Sequence, residues 1–179
     1  MLKAKVGYST NENYYESGIE TATMATTDLN EQKLGMLFTS CNDDIKEVIK
    51  GVRSITSVPL IGCTSSGGLI VPEKVIESTT SFAGMMTIND SEMTIGIACH
   101  EGGRNPRAIG RKVAIDAVAN AKTTRAPAYF YMVASPKEEE EYLLGIQDVI
   151  GRVPMFGGSA ADDNLDENWK IICQILKLH

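Results

Sequence analysis

Two phrases of the chain echo one another and hold its most distinctive pattern. The first, VPLIGCTSSGG at residues 58–68, runs an apolar stretch into Gly62, Cys63, Thr64, Ser65, Ser66, Gly67 and Gly68, none of them bulky. Glycines permit positive φ and close backbone approach, so successive N–H groups can face one concavity. The three hydroxyls both donate and accept. Such a surface suits a carboxylate or another small anion. The second phrase, VPMFGGSAADD at residues 153–163, begins alike with Gly157, Gly158 and Ser159 but ends in Asp162 and Asp163. Those two acids suit an ammonium group. Together the phrases describe a site for a small zwitterion resembling an amino acid, although each taken singly is also ordinary turn chemistry. Neither is a phosphate loop ending in Gly-Lys-Ser/Thr, and neither has the spacing of a nucleophile elbow.

Two side chains invite sharper readings. Cys63 follows an apolar strand at a glycine-rich turn, an address for a nucleophile, but a reactive thiolate needs a base or a positive field beside it. The chain has two histidines, His100 and the terminal His179. An enzymatic reading would pair Cys63 with His100, and His100 is also the residue that an axial haem ligand would use. The plainer alternatives are a small buried cysteine at a strand end and a hydrogen-bonded histidine. The expected site is therefore non-catalytic, without metal or cofactor; haem at His100 and a Cys63-dependent enzyme stand as the alternatives.

Strands and helices must hold these loops in place. KAKVGYS (3–9) predicts a first strand, and Tyr15, Ile19, Ala22, Ala25 and Leu29 recur at helical spacing over residues 13–29. GMLFTS (35–40) is a continuous apolar run of the kind buried on both faces. Ser40, Asn42 and Asp43 offer caps for a helix striped by Ile45, Val48, Ile49 and Val52, with Asp44 and Glu47 in its first turns. TTSFAGMMTI (79–88) and EMTIGIAC (92–99), joined by Asn89, Asp90 and Ser91, read as an antiparallel hairpin. Asn105 before Pro106 starts a helix to Ala121, and AYFYMVAS (128–135) repeats the buried-strand pattern. Ser135, Pro136 and Glu138 fit N-cap, N1 and N3 of a helix through Ile150. The glutamates 138–141 then sit at the positive end of a helix dipole, and consecutive helical side chains do not converge on a metal.

The doubled phrase belongs to a longer repeat, residues 35–68 against 128–163. Ser40 corresponds to Ser135, Gly51 to Gly145, Val58-Pro59 to Val153-Pro154, and Gly62 to Gly157. Each copy is a β-α-β unit, whose strands run parallel in the usual crossover. The expected fold is α/β: a mixed sheet flanked by helices, built from two pseudo-repeated β-α-β units with an intervening hairpin. Both loops then follow the carboxyl ends of strands, where open α/β sheets bind ligands.

Composition bounds the alternatives. At 179 residues the chain is long enough for one well-packed core, and is expected to be a single domain. A net charge of −6 argues against nucleic acid as a partner, which would require a clustered basic face. No apolar run approaches a membrane span and no signal-peptide core opens the chain. Four cysteines without CxxC spacing read as reduced thiols in a cytoplasmic setting.

At the paired phrases the sequence resembles the N-terminal half of a FIST domain. The likeness rests on VPLIGCTSSGGLI, where the family has a VP-I-G-C-S/T-x-x-G loop, and on VPMFGGSAADD, where it has a GG-S/A-x-D loop. It extends from Tyr8 to Trp169. The resemblance implies a sensory module of intracellular signal transduction that binds small ligands such as amino acids. It further implies work alongside histidine kinases, cyclic-dinucleotide enzymes or chemotaxis proteins; some relatives carry haem and respond to nitric oxide. The first loop departs from the pattern, since Gly67 is followed by Gly68 where an acidic residue is common. The usual C-terminal half is not seen after ICQILKLH, so residues 1–179 are expected to be a single N-terminal-type domain, either a stand-alone half or a piece of a longer protein, with strand edges that could support a homodimer.

Overall fold

The computed structural model describes residues 1–164 and 166–174, so His179 lies outside the described residues. In chain order the elements are β1 (Lys3–Ser9), α1 (Tyr14–Thr26), β2 (Leu34–Ser40), α2 (Ile45–Ile55), β3 (Leu60–Ser65), β4 (Leu69–Val71), β5 (Lys74–Ile76) and β6 (Ala83–Asn89). They continue as α3 (Pro106–Ala121), β7 (Phe130–Ala134), α4 (Glu139–Ile150), β8 (Met155–Ser159) and β9 (Ile171–Gln174). The class is α/β, with a mixed sheet flanked by helices. Two compact units are distinguished: Met1–Met93 together with the segment from Ala161 onward, and Thr94–Ala160.

The first unit is built on a five-stranded sheet ordered β1-β6-β2-β3-β9. β2 and β3 are parallel, and the other neighbours are antiparallel. β2 is buried along almost its whole length, as its unbroken apolar run requires. Leu37, Leu60 and Met85 project from the sheet into one core with Ala22 and Ala25 of α1 and Val52 of α2. Removing a side chain such as Leu37 wholly from water contributes roughly 1.5–3 kcal/mol. Asn13 caps α1 by accepting from the Glu16 N–H, and Asp44 caps α2 by accepting from Lys46 and Glu47. The two helices touch backbone to backbone: a Cβ on Gly18 would stand 2.1 Å from the Val48 carbonyl, and one on Gly51 would stand 2.0 Å from that of Tyr15. No side chain fits between them.

The second unit has a parallel pair, β7 and β8, together with α3 and α4. Asn105 caps α3 by accepting from the Ala108 N–H, with Pro106 just inside the helix. α3 and α4 again meet at glycines, Gly110 against Tyr142 and Gly145 against Arg107. Asp148 on α4 ties the pair by accepting from Arg107 Nε at 2.9 Å and Arg111 Nε at 2.7 Å, and these guanidinium contacts hold its carboxyl down at about 2. Gly96 lies against α3, where a Cβ would stand 1.9 Å from the Ala117 carbonyl, and Asn120 of α3 donates to the Ile97 carbonyl.

Four local expectations change. The hairpin of 79–88 with 92–99 does not form. β6 has one edge paired with β1 and the other with β2, so no edge is left for residues 92–99, which adopt no strand. α4 starts at Glu139, not Pro136: Ser135, Pro136 and Lys137 make a turn with Lys137 at φ +84°, and Ser135 spends its hydroxyl on Tyr142 instead of a cap. The N-cap of α2 is Asp44, while Asp43 accepts from the Ser81 hydroxyl and the Phe82 N–H. Cys99 and Cys173 are disulfide-bonded, which leaves Cys41 and Cys63 as free thiols and removes the argument from four reduced cysteines.

Candidate functional site

Residues 62–65, expected in a loop, are the last four residues of β3. Gly62 is fixed there by geometry. It lies opposite Leu37 of β2 with φ +152°, and a Cβ would fall 1.7 Å from the Leu37 carbonyl oxygen. The second unit repeats this arrangement: Gly157 lies opposite Met132 with φ +133°, and its Cβ would fall 2.0 Å from the Met132 carbonyl. Both glycines answer to a close backbone approach inside a strand. Cys63 is buried in register with Phe38 on one side and Ile171 on the other, and burial pushes its thiol up to about 11. That is the wrong direction for a nucleophile at neutral pH.

Thr64 acts as a clamp. Its hydroxyl donates to the Ala161 carbonyl at 2.8 Å and accepts from the Lys170 N–H at 3.0 Å. Its own backbone bonds the same two residues, donating to Lys170 and accepting from Ala161. Four hydrogen bonds from one buried residue thus hold residues 161 and 170 against the carboxyl end of β3. Beside Thr64 in the register lies Thr39 of β2, wholly buried, whose hydroxyl meets no hydrogen-bond partner among the described residues.

The loop proper is residues 66–68. Ser65 closes its base by donating to the Gly68 carbonyl at 2.9 Å, Ser66 is exposed, and Gly67 sits at φ +74° with open space where a Cβ would be. The Gly67 N–H donates to Asp163 Oδ1 at 3.2 Å. The other oxygen of Asp163 accepts from Asn42 Nδ2 at 3.4 Å and faces the Cys41 thiol at 3.6 Å. Burial pushes the Cys41 thiol up, and the neighbouring Asp163 and Asp162 charges add to this. Asp162 is buried and accepts from the Asn168 N–H at 2.7 Å, while Asn168 in turn donates to the Cys41 carbonyl. The structure therefore brings Thr64, Ser65, Ser66, Gly67, Asp162 and Asp163 together at the carboxyl ends of β2 and β3, with Cys41 and Asn42 added from the β2–α2 turn. Sequence reasoning passed over those two. Their only local signal is position, directly after a strand whose partner ends in the glycine loop.

Gly157, Gly158 and Ser159 belong to β8 in the second unit. Ser159 donates to Glu139 and lowers its carboxyl, and Tyr142 bridges Ser135 at 3.0 Å and Glu138 at 2.9 Å. Burial raises the Tyr142 phenol, with the Glu138 and Glu139 charges acting in the same sense. His100 Nε2 is hydrogen-bonded to Asp116 Oδ2 at 2.7 Å, a loop histidine satisfied by a carboxylate of α3. Among the described residues no group of three or more His, Cys, Asp or Glu side chains could hold a metal ion, and no helix is long and apolar enough to cross a membrane.

An α/β unit with a glycine loop and paired carboxylates at the carboxyl ends of parallel strands has the form of a small-ligand binding module. The model of the FIST N domain matches residues 33–174, and the chain belongs to this family of sensory domains in signal transduction. No curated protein matches the chain.

Proposed function

We propose that the chain is a non-catalytic sensory domain that binds an amino-acid-like metabolite at the loop formed by residues 66–68 with Asp162 and Asp163. The observation that carries this reading is the Gly67 N–H on Asp163 Oδ1 at 3.2 Å: the loop amide already ligates a carboxylate, and the one it holds is the protein's own. A ligand carboxylate would take the Gly67 N–H and the Asn42 side-chain amide, beside the Ser66 hydroxyl, leaving Asp163 to meet the ligand ammonium. Gly62, Cys63 and Thr64 support the site from within β3.

Binding would alter how the module engages a cytoplasmic signalling partner such as a histidine kinase, a cyclic-dinucleotide enzyme or a chemotaxis protein. This requires different ligand affinities in two states of the module. A thermal-shift screen of the proteinogenic amino acids tests the reading, because a native-state binder raises the melting temperature by mass action. The expected result is a rise for a subset of them that is lost in Gly67→Val. No rise with any amino acid, or the same rise in that variant, would refute it.

A further inference from the structure

We infer that Gly67, Asn42 and Cys41 form a carboxylate site with Asp163 as its built-in occupant, so that an external carboxylate binds by displacing this side chain. The inference rests on the reading of these loops as a ligand site and assigns its regulation.

Three donors from two separate turns converge on one carboxylate. Gly67 N–H reaches Oδ1 at 3.2 Å, and Asn42 Nδ2 and Cys41 Sγ reach Oδ2 at 3.4 and 3.6 Å. A backbone amide, a side-chain amide and a thiol directed at the two oxygens of one group make an anion cradle. The two nitrogen contacts are at the long end of the hydrogen-bond range, the thiol contact is ordinary for sulfur, and Asp163 itself is exposed. The stronger charge-assisted bonds are shorter, about 2.7–2.9 Å. The neighbouring residue shows that kind: Asp162 is buried and accepts from the Asn168 N–H at 2.7 Å.

The two acids thus divide the work. Asp162, with the Thr64 clamp on Ala161, anchors the backbone, and Asp163 occupies the cradle from that anchored position. Its departure breaks none of the short bonds that hold the segment. Gly67 and Asp163 are both exposed, and nothing lies within 4 Å of the Cβ position of Gly67. A side chain tethered beside its own site competes at a high effective concentration, on the order of millimolar for short tethers. The site therefore responds only to a carboxylate ligand abundant enough, or with enough additional contacts, to outcompete Asp163.

Acetate is the probe. Amide-resolved NMR of the full chain follows the Gly67 N–H and the Asn42 side-chain amide during titration with sodium acetate, against sodium chloride at equal ionic strength. In Asp163→Ala both signals move at an acetate midpoint at least about fivefold lower than in the wild type, as loss of a tethered competitor requires. Asp163→Asn, which keeps the shape and drops the charge, shifts the midpoint the same way and covers the case of an unfolded alanine variant. Equal midpoints in wild type and variants, or a Gly67 signal that acetate never moves more than chloride does, would overturn the inference. The outcome separates from that of the amino-acid screen. Acetate competition with a negative screen keeps the carboxylate site and removes the amino-acid reading. A positive amino-acid screen with equal acetate midpoints in wild type and Asp163→Ala keeps ligand recognition and removes the displacement.

Discussion

Thr64→Val exchanges a hydroxyl for a methyl of nearly equal volume at the clamp on β3, and its cost follows from the bonds removed. The hydroxyl donates at 2.8 Å to Ala161 and accepts at 3.0 Å from Lys170, and both bonds are lost while the two backbone bonds of Thr64 remain. Each lost bond is worth about 0.5–1.5 kcal/mol, and the desolvation of orphaned partners adds to this where water is excluded. Because Ala161 and Lys170 are only partly shielded, water recovers a share, and a destabilisation of about 1–3 kcal/mol is expected. Thr64→Ser keeps both bonds and deletes one buried methyl, which costs about 0.8 kcal/mol. Urea denaturation of the three proteins measures the differences, and hydrogen exchange at Lys170 locates them, with faster exchange in the valine variant alone. A valine variant within about 0.5 kcal/mol of wild type, or a serine variant as weak as valine, would refute the clamp and return Thr64 to a purely ligand-facing role.

The other expectations follow from single features of the structure. Gly62→Ala and Gly157→Ala each drive a Cβ into a facing carbonyl oxygen at positive φ, and each loses more than about 4 kcal/mol by thermal or chemical denaturation; a mild effect at either contradicts the strand geometry. Alkylation of the denatured, unreduced chain modifies Cys41 and Cys63 only, and all four cysteines after reduction; four modifications without reductant would show Cys99 and Cys173 to be thiols. Native Cys63, with its thiol at about 11, reacts with a thiol reagent at pH 8 roughly two orders of magnitude more slowly than a free cysteine on thiolate fraction alone. For Asp148 the folded value of about 2 lies below the ordinary 3.8, so the stability from its arginine bridge is present above about 4 and is lost as pH falls through about 2. Asp148→Asn flattens that acid limb in thermal melts recorded against pH, and an unchanged limb would mean that the bridge contributes nothing.

What could be read from the residues depended on whether the determining contact was local. β2 was legible because a strand covered on both faces is apolar almost throughout, and the cap Asn105 acts within three residues of its own position. Residues 92–99 carry the alternation of a strand but form none, because β6 already has a partner on each edge, and edge occupancy is settled by pairings with β1 and β2 far away in the chain. The glycine correspondences are visible in the sequence, yet only the register shows that Gly62 and Gly157 each face a carbonyl of the neighbouring strand too closely for a Cβ. Asp163 was singled out from the sequence for its place after the second glycine phrase, and the structure sets it beside the first. Its role as the carboxylate on the Gly67 amide comes from a contact across 96 positions, which no local spacing encodes. Cys41 and Asn42 were missed for the same reason.

The most direct test is a crystal structure of the chain with the best-binding amino acid from the thermal screen. The account predicts the ligand carboxylate within hydrogen-bond distance of the Gly67 N–H and Asn42 Nδ2, Asp163 turned away from both, and the Asp162–Asn168 bond intact. A ligand seated elsewhere while Asp163 still accepts from Gly67 would contradict it.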